Sequence, residues 1–139
     1  AVSPAEKNVN YGAAGPTADI DRDGRLDMLI TEWWPDRDPV LYRNTSTAGN
    51  YLEVEVRRAN PMGIGSRVYV YEAGRLGDPG ALIGLIEIAQ GFGYSSGQEA
   101  IAHFGLADRE AVDIRVVLPH ERGTIERRGV GANQRLRID

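Results

Sequence analysis

The chain has 139 residues, of which 42% are hydrophobic and 26% are charged, and its formal net charge is −4. This length and composition are typical of a globular domain with its own core and exclude disorder over most of the chain. The acidic balance disfavours nucleic acid as a partner. The absence of cysteine excludes disulfides and thiolate metal sites, and no apolar run is long enough to be inserted across a membrane.

An acidic loop follows a first stretch, 1–18, that has no regular hydrophobic pattern and is predicted to be an extended tail. In "DIDRDGRLD" (19–27) four carboxylates occupy nine positions around a central glycine that permits a sharp turn. Calcium prefers six to eight hard oxygen ligands from a loop that can wrap it, and the ion would remove the repulsion among these side chains. The sequence therefore predicts a Ca²⁺ site formed by the carboxylates of Asp19, Asp21, Asp23 and Asp27 and the carbonyl oxygen of Arg25.

Other interpretations of this loop are weaker. An EF-hand requires a bidentate glutamate at the twelfth position, which is Ile30 here. Magnesium is less suited to so many protein carboxylates. An acidic turn without an ion and a pair of catalytic carboxylates remain as alternatives.

The rest of the chain has the hydrophobic period of β-strands. Alternating apolar and polar residues predict half-buried strands in "YLEVEVR" (51–57), "SRVYVYE" (66–72), "VDIRVVL" (112–118) and "QRLRID" (134–139). The more continuously apolar runs 26–34 and 81–89 predict strands that are covered on both faces, whereas 97–105 suits a helical turn or a strand. Turn signals rich in glycine and proline separate these runs, so we predict an all-β fold.

A small polar linker, "NTSTAGN" (44–50), separates the acidic loop and its flanking strands from the alternating strands. We expect three parts: the extended tail 1–18, a calcium-loop segment 19–46 and a β-domain 47–139.

Two parts of the chain resemble known families. The stretch "ADIDRDGRLDMLITEWWPDRDPVLYRNTS" (18–46) resembles an FG-GAP/VCBS repeat, with its D-x-D-x-D-G-x-x-D loop, the hydrophobic strand that follows and a closing "LYRN". From "GNYLEVEV" onward the chain resembles the ASPIC/UnbV domain in "NPMGIGSRVYVY", "GFGYSSGQEAIAHFGL", "VDIRVVLP" and "GVGANQRLRI". The order of these two segments along the chain resembles that of the cartilage acidic protein-like family.

This resemblance implies a β-sandwich-like ASPIC/UnbV domain preceded by a single FG-GAP-type calcium-loop β-hairpin. It also implies an extracellular or cell-surface protein with a structural or adhesive role and no enzymatic activity. The same loop residues, 19, 21, 23, 25 and 27, are the calcium ligands that the resemblance implies.

A single repeat leaves strand edges with unpaired backbone groups. We expect another molecule or the β-domain to cover them, and the tail 1–18 could be donated to the edge of a neighbour. If each molecule donates its tail to the next one and the repeated rotation does not close into a ring, the assembly is a filament. Self-association into a homo-oligomer or a surface filament is therefore predicted, and an extracellular protein is a further candidate partner.

The sequence offers two other functions. A nucleophilic triad of Ser95 or Ser96 with His103 is disfavoured, because "GFGYSSG" is not a strand-to-helix elbow, and His103 is expected to be a packed residue. The alternative to a structural module is a carbohydrate-binding module, in which aromatic rings bind a glycan. The aromatic candidates are Trp33, Trp34, Tyr42, Tyr69, Tyr71 and Tyr94.

Overall fold

A computed structural model describes residues 12–34, 36–47 and 49–139, which form eleven strands and no α-helix. The predicted all-β fold is confirmed. The chain divides into two compact units. The first unit runs to Ser46 and also includes the segment Gly91–Glu99, and the second unit comprises Thr47–Gln90 and Ala100–Asp139. No helix among the described residues has the length and apolarity needed to cross a bilayer.

The first unit contains a four-stranded antiparallel sheet around β3. Its strands are β1 (Gly12–Ala14), β2 (Thr17–Ala18), β3 (Asp27–Glu32) and β4 (Val40–Tyr42). β1, β2 and β4 all pair with β3. Part of the predicted tail, 12–18, thus pairs within its own chain, and 1–11 lies outside the described residues.

The apolar run 26–34 is not a strand covered on both faces, so this prediction is wrong. β3 ends at Glu32 and the chain then bends, which places the two tryptophans outside the strand. Met28, on β3 within this run, is 42% exposed. The physical reason is the small unit: its described residues form a single sheet with no second sheet of the same unit over its faces, so apolar side chains of β3 stay exposed even though the sequence is continuously apolar.

The second unit is built from two sheets, as expected for a β-sandwich-like domain. One is fully antiparallel, in the order β10-β9-β6-β7, and the other has the order β11-β5-β8, with β11 parallel to β5. A short 3₁₀ helix, Pro79–Ala81, precedes β7. The strands are β5 (Asn50–Val56), β6 (Arg67–Glu72), β7 (Leu82–Glu87), β8 (Ala102–Ala107), β9 (Ala111–Val117), β10 (Thr124–Gly131) and β11 (Gln134–Ile138).

The core of this unit comes from the inward positions of the alternating strands. All four predicted alternating strands are present, as β5, β6, β9 and β11, and the ambiguous run 97–105 contributes to strand β8. Burial of each such side chain stabilises the fold by about 1.5–3 kcal/mol. The fully buried members include Leu52, Val54, Val56, Val68, Val70, Leu106, Val112, Ile114 and Val116.

The run 81–89 forms β7, but it too departs from the prediction of a strand covered on both faces. Leu82 and Leu85 are 42% and 48% exposed. β7 is the last strand of its sheet and pairs only with β6. A strand at a sheet edge has one side without a neighbour, which explains why its apolar side chains are incompletely covered.

Candidate metal centre

The acidic loop connects β2 to β3 in the first unit. These two strands pair antiparallel, and the pair Ala18–Asp27 closes the loop at its base. Within the loop, Arg22 and Gly24 have left-handed backbone conformations, with φ of 60° and 88°. Glycine adopts such a conformation without the steric cost that a side chain brings, so the central glycine allows the chain to curl tightly here.

The curl brings three of the predicted ligands together. Asp19, Asp21 and Asp23 each offer a carboxylate oxygen, and the three oxygens lie within 4.8 Å of one another. Asp19 is buried, Asp23 is half-buried and Asp21 is exposed. The group therefore extends from the base of the loop to the surface, where a dissolved ion can reach it.

Backbone N–H groups of the loop fix the carboxylate of Asp19, the most buried of these three aspartates. Asp19 accepts from N of Asp23 at 2.9 Å through one oxygen and from N of Gly24 at 2.8 Å through the other. Oδ1 of Asp23 in turn accepts from N of Arg25 at 3.0 Å. These bonds orient the two carboxylates before any ion binds, since they tie each side chain to the loop backbone.

Two arginines neutralise part of the negative charge. Arg25 forms an ion pair with Asp23, and Arg43 forms one with Asp21. The side chain of Arg25 also donates through Nε to the carbonyl oxygen of Asn44 at 2.7 Å. Composition and spacing did not single out Arg43, whose only signal is its place in the closing "LYRN". In the folded unit it is a counter-ion of the loop.

The structure gives Asp27 a different set of contacts from the other three aspartates. It is only 3% exposed and does not belong to the group of converging oxygens. Its Oδ1 accepts from N of Asn44 at 2.8 Å, and its Oδ2 accepts from N of Ile20 at 3.3 Å. Asp27 therefore ties the loop to the segment that follows β4. Its role as a ligand, and that of the Arg25 carbonyl, stay predictions.

The donor set suits a hard divalent cation. Three carboxylates supply charged oxygen ligands of the kind that Ca²⁺ prefers, and carbonyl groups or water complete such sites elsewhere. A bound ion would reduce the repulsion among carboxylates that are held close together. The residues present thus fit calcium.

The other candidates from the sequence fall into separate groups. Ser95 and Ser96 belong to the segment grouped with the first unit, whereas His103 lies on β8 of the second unit. His103 stacks on Tyr51 with ring centroids 5.9 Å apart and nearly parallel planes. Among the aromatic candidates, Trp33 contacts Tyr94, and, in the second unit, Tyr69 contacts Tyr71.

Comparison with known proteins identifies most of the second unit. Residues 56–139 match the sequence profile of the family described as ASPIC and UnbV. The chain is also similar to Cartilage acidic protein 1 of Mus musculus and of Homo sapiens, with 32% identity to each over 111 residues. Each alignment covers 78% of this chain and 16% of the relative, so the chain spans about a sixth of the length of the curated relatives it matches. Because the profile covers more than half of its residues, the chain belongs to the ASPIC and UnbV family.

Proposed function

We propose that this protein is a non-enzymatic extracellular module in which the acidic loop binds Ca²⁺ and the ion stabilises the first unit. The observation that carries the proposal is the convergence of carboxylate oxygens from Asp19, Asp21 and Asp23. The resemblance of 18–46 to an FG-GAP/VCBS repeat supports the same ion. The word cartilage in the name of the two relatives supports a location in an extracellular matrix.

The proposed role of calcium is structural. The loop follows β2 and leads directly into β3, the central strand of the first unit. An ion held by Asp19, Asp21 and Asp23 would add cross-links to a loop that is otherwise held by hydrogen bonds and by two ion pairs with arginine. Binding to the native state alone stabilises a protein by RT ln(1 + [L]/Kd), about 2.7 kcal/mol at a hundredfold excess over Kd.

Calorimetric titration of Ca²⁺ into the purified chain tests this proposal, together with thermal unfolding in millimolar calcium and in excess chelator. We expect saturable binding and a higher Tm with calcium. Asp21→Asn and Asp23→Asn should abolish most of both effects, because each removes a charged ligand. Asp38→Asn is the matched control, since Asp38 is an exposed aspartate of the same unit outside the loop. Unchanged melting in chelator, with no heat of binding, would contradict the proposal.

Self-association belongs to the same proposal as a secondary property. Residues 12–14 and 17–18 already pair with β3 of their own chain, so donation of a strand to a neighbour would rely on 1–11 or on an exchange of these strands. Light scattering of the full chain and of a variant without its first eleven residues tests this. A monomer in both cases would contradict filament formation by strand donation.

A further inference from the structure

An exposed pair of aromatic rings lies on the first unit, outside the acidic loop. Trp33 follows the end of β3 and is 56% exposed, and Tyr94 is 66% exposed. Their ring centroids are 5.7 Å apart, and the planes are inclined at 45°. Large aromatic side chains usually contribute their surface to a core. These two contact each other and still leave more than half of their surface to solvent.

The loop that carries Tyr94 is held in a defined conformation. Gly91 and Gly97 form a β-bridge, and N of Phe92 donates to the carbonyl oxygen of Ser96 at 3.3 Å. Tyr94 lies at the tip of this loop, between two residues with positive φ, Gly93 at 75° and Ser95 at 49°. A non-glycine residue in this region is uncommon, so the turn that presents the ring is maintained against a conformational cost.

The loop is also attached to the sheet of the same unit. The backbone N and the hydroxyl group of Thr17 on β2 both donate to Oε1 of Gln98, at 3.5 and 3.4 Å. This attachment fixes the base of the loop on one side, while the contact with Trp33 fixes its tip. The two rings therefore form a preorganised corner, which reduces the entropy that a ligand would otherwise lose on binding.

Polar atoms without a partner lie next to the two rings in the sequence. Oε2 of Glu32, the residue before Trp33, and Oγ of Ser96, two residues after Tyr94, are shielded from solvent and have no hydrogen-bond partner among the described residues. Buried polar atoms of this kind are rare in native structures, and each calls for an explanation. A carboxylate acceptor and a hydroxyl group are suited to a ligand that carries hydroxyl groups of its own.

We propose that Trp33 and Tyr94 form a binding platform for a neutral glycan built of pyranose rings. A pyranose has an apolar face of C–H groups, which packs on an aromatic ring, and a rim of hydroxyl groups, which both donate and accept hydrogen bonds. The corner between the two rings accommodates the first. Glu32 and Ser96 supply partners for the second when their side chains turn outward, and neither shielded atom gives up a hydrogen bond to a described residue by doing so. The net charge of −4 favours a neutral sugar over a sulfated or uronic acid polymer.

Affinity electrophoresis of the full chain tests the proposal in native gels that contain xylan, galactomannan, mixed-linkage β-glucan or galactan, with polygalacturonate as the anionic comparison. We expect at least one neutral polysaccharide to retard the wild-type protein. Trp33→Ala and Tyr94→Ala should each weaken this binding about tenfold, since they remove a stacking surface. Trp33→Phe should keep most of it.

The matched control is Tyr42→Ala, which removes another exposed tyrosine of the same unit, on β4, and should leave the retardation unchanged. Far-UV circular dichroism identifies any variant that fails to fold. In that case the proposal is tested by fluorescence instead. Quenching of tryptophan fluorescence by the polysaccharide that retards the wild type is compared between the wild type and Trp33→Phe. Retardation by none of the neutral polymers would overturn the proposal, as would equal retardation of Trp33→Ala. Concentration-dependent light scattering that Trp33→Ala abolishes, without glycan binding, would assign the pair to a protein contact and overturn it too.

Discussion

Arg135 and Glu53 lie directly opposite each other in the parallel pair β11–β5, and Nε of Arg135 donates to Oε2 of Glu53 at 2.7 Å. Nη2 of the same guanidinium reaches the other carboxylate oxygen at 3.3 Å. The Glu53 side chain is only 7% exposed. A carboxylate that is this deeply buried requires a partner of opposite charge, because removal of the arginine leaves its charge uncompensated.

Arg135→Ala should therefore lower the free energy of unfolding by about 2 kcal/mol, less than for a fully buried pair because the arginine remains partly exposed. The matched control is Arg137→Ala on the same strand, whose partner Asp139 is largely exposed, and it should cost less than about 0.5 kcal/mol. Urea unfolding of both variants measures the difference. Equal stabilities would show that the Glu53 carboxylate does not depend on this arginine.

Asp113 holds a turn and a β-bulge of the second unit in place. It is 1% exposed and accepts from N of Gly74 at 3.0 Å and from N of Gly129 at 2.8 Å. Asp113→Ala should destabilise the unit by about 3 kcal/mol, since two N–H groups lose a charged acceptor. Glu126→Ala, which removes an exposed partner of Arg115, should cost less than about 1 kcal/mol. Equilibrium unfolding followed by circular dichroism compares them, and a small effect of Asp113→Ala would contradict this role.

Gly63 has a close backbone neighbour that leaves no room for a side chain. Its φ is 65°, and a Cβ would collide with the backbone carbonyl oxygen of Val56 and lie 2.7 Å from Cβ of that residue. Gly63→Ala should therefore cost about 3 kcal/mol through overpacking and backbone strain together. Gly74→Ala is the control for strain alone, since its φ is 79° with nothing within 4 Å, and it should cost about 1 kcal/mol. Thermal unfolding of both variants separates the two effects, and equal Tm values would rule out the steric one.

Arg43 should compete with calcium, if the ion binds as proposed. Its ion pair with Asp21 occupies a ligand carboxylate, although the Arg43 side chain is 65% exposed. Arg43→Gln should tighten calcium binding about two- to fivefold, as expected for loss of an exposed pair, and the gain should shrink at high salt. Arg58→Gln, on an exposed arginine of the second unit, should have no effect. An unchanged Kd at low salt would contradict the competition.

Ionisation of the Asp78 side chain makes the stability of the protein depend on pH in the acid range. Its carboxylate accepts from the Arg75 side chain at 2.7 Å and from N of Gly80 at 2.8 Å, and these bonds, the arginine first, lower its pKa below the ordinary 3.8. The stabilisation is thus present above the unfolded pKa and is lost as the pH falls through the lower folded value. Asp78→Asn should flatten the fall in Tm between about pH 5 and about pH 2, whereas the exposed control Asp108→Asn should follow the wild type. Identical profiles for all three proteins would contradict the linkage.

The sequence predicts the second unit best where one face of a strand is buried. β5, β6, β9 and β11 follow from their alternation because period two matches the pleat. β10 was not predicted: most of its residues are exposed, two adjacent arginines lie in its middle, and a bulge between Arg127 and Val130 places Gly129 in the strand. Such an edge strand depends on pairing with β9, which no local pattern reveals.

At the acidic loop, the spacing of the aspartates predicts the cluster but not the residues that contact it. The positions of Asp19, Asp21 and Asp23 predict that their side chains meet, and the curled loop has that arrangement. The pairing of Arg43 with Asp21 and the hydrogen bond from N of Asn44 to Asp27 depend on how β4 returns beside β3. Long-range placement of this kind is set by tertiary packing, so the counter-ions appear only in the folded unit.

The parallel pairing of β11 with β5 has a consequence for biosynthesis. β5 is the first strand of the second unit and β11 is the last, so partners such as Glu53 and Arg135 are 82 positions apart in the sequence. While the ribosome still covers β11, β5 lacks its neighbour on that side, and Glu53 lacks the guanidinium of Arg135. The sheet can close only after the last residues of the unit have emerged, and the nascent domain must wait for them with an open edge.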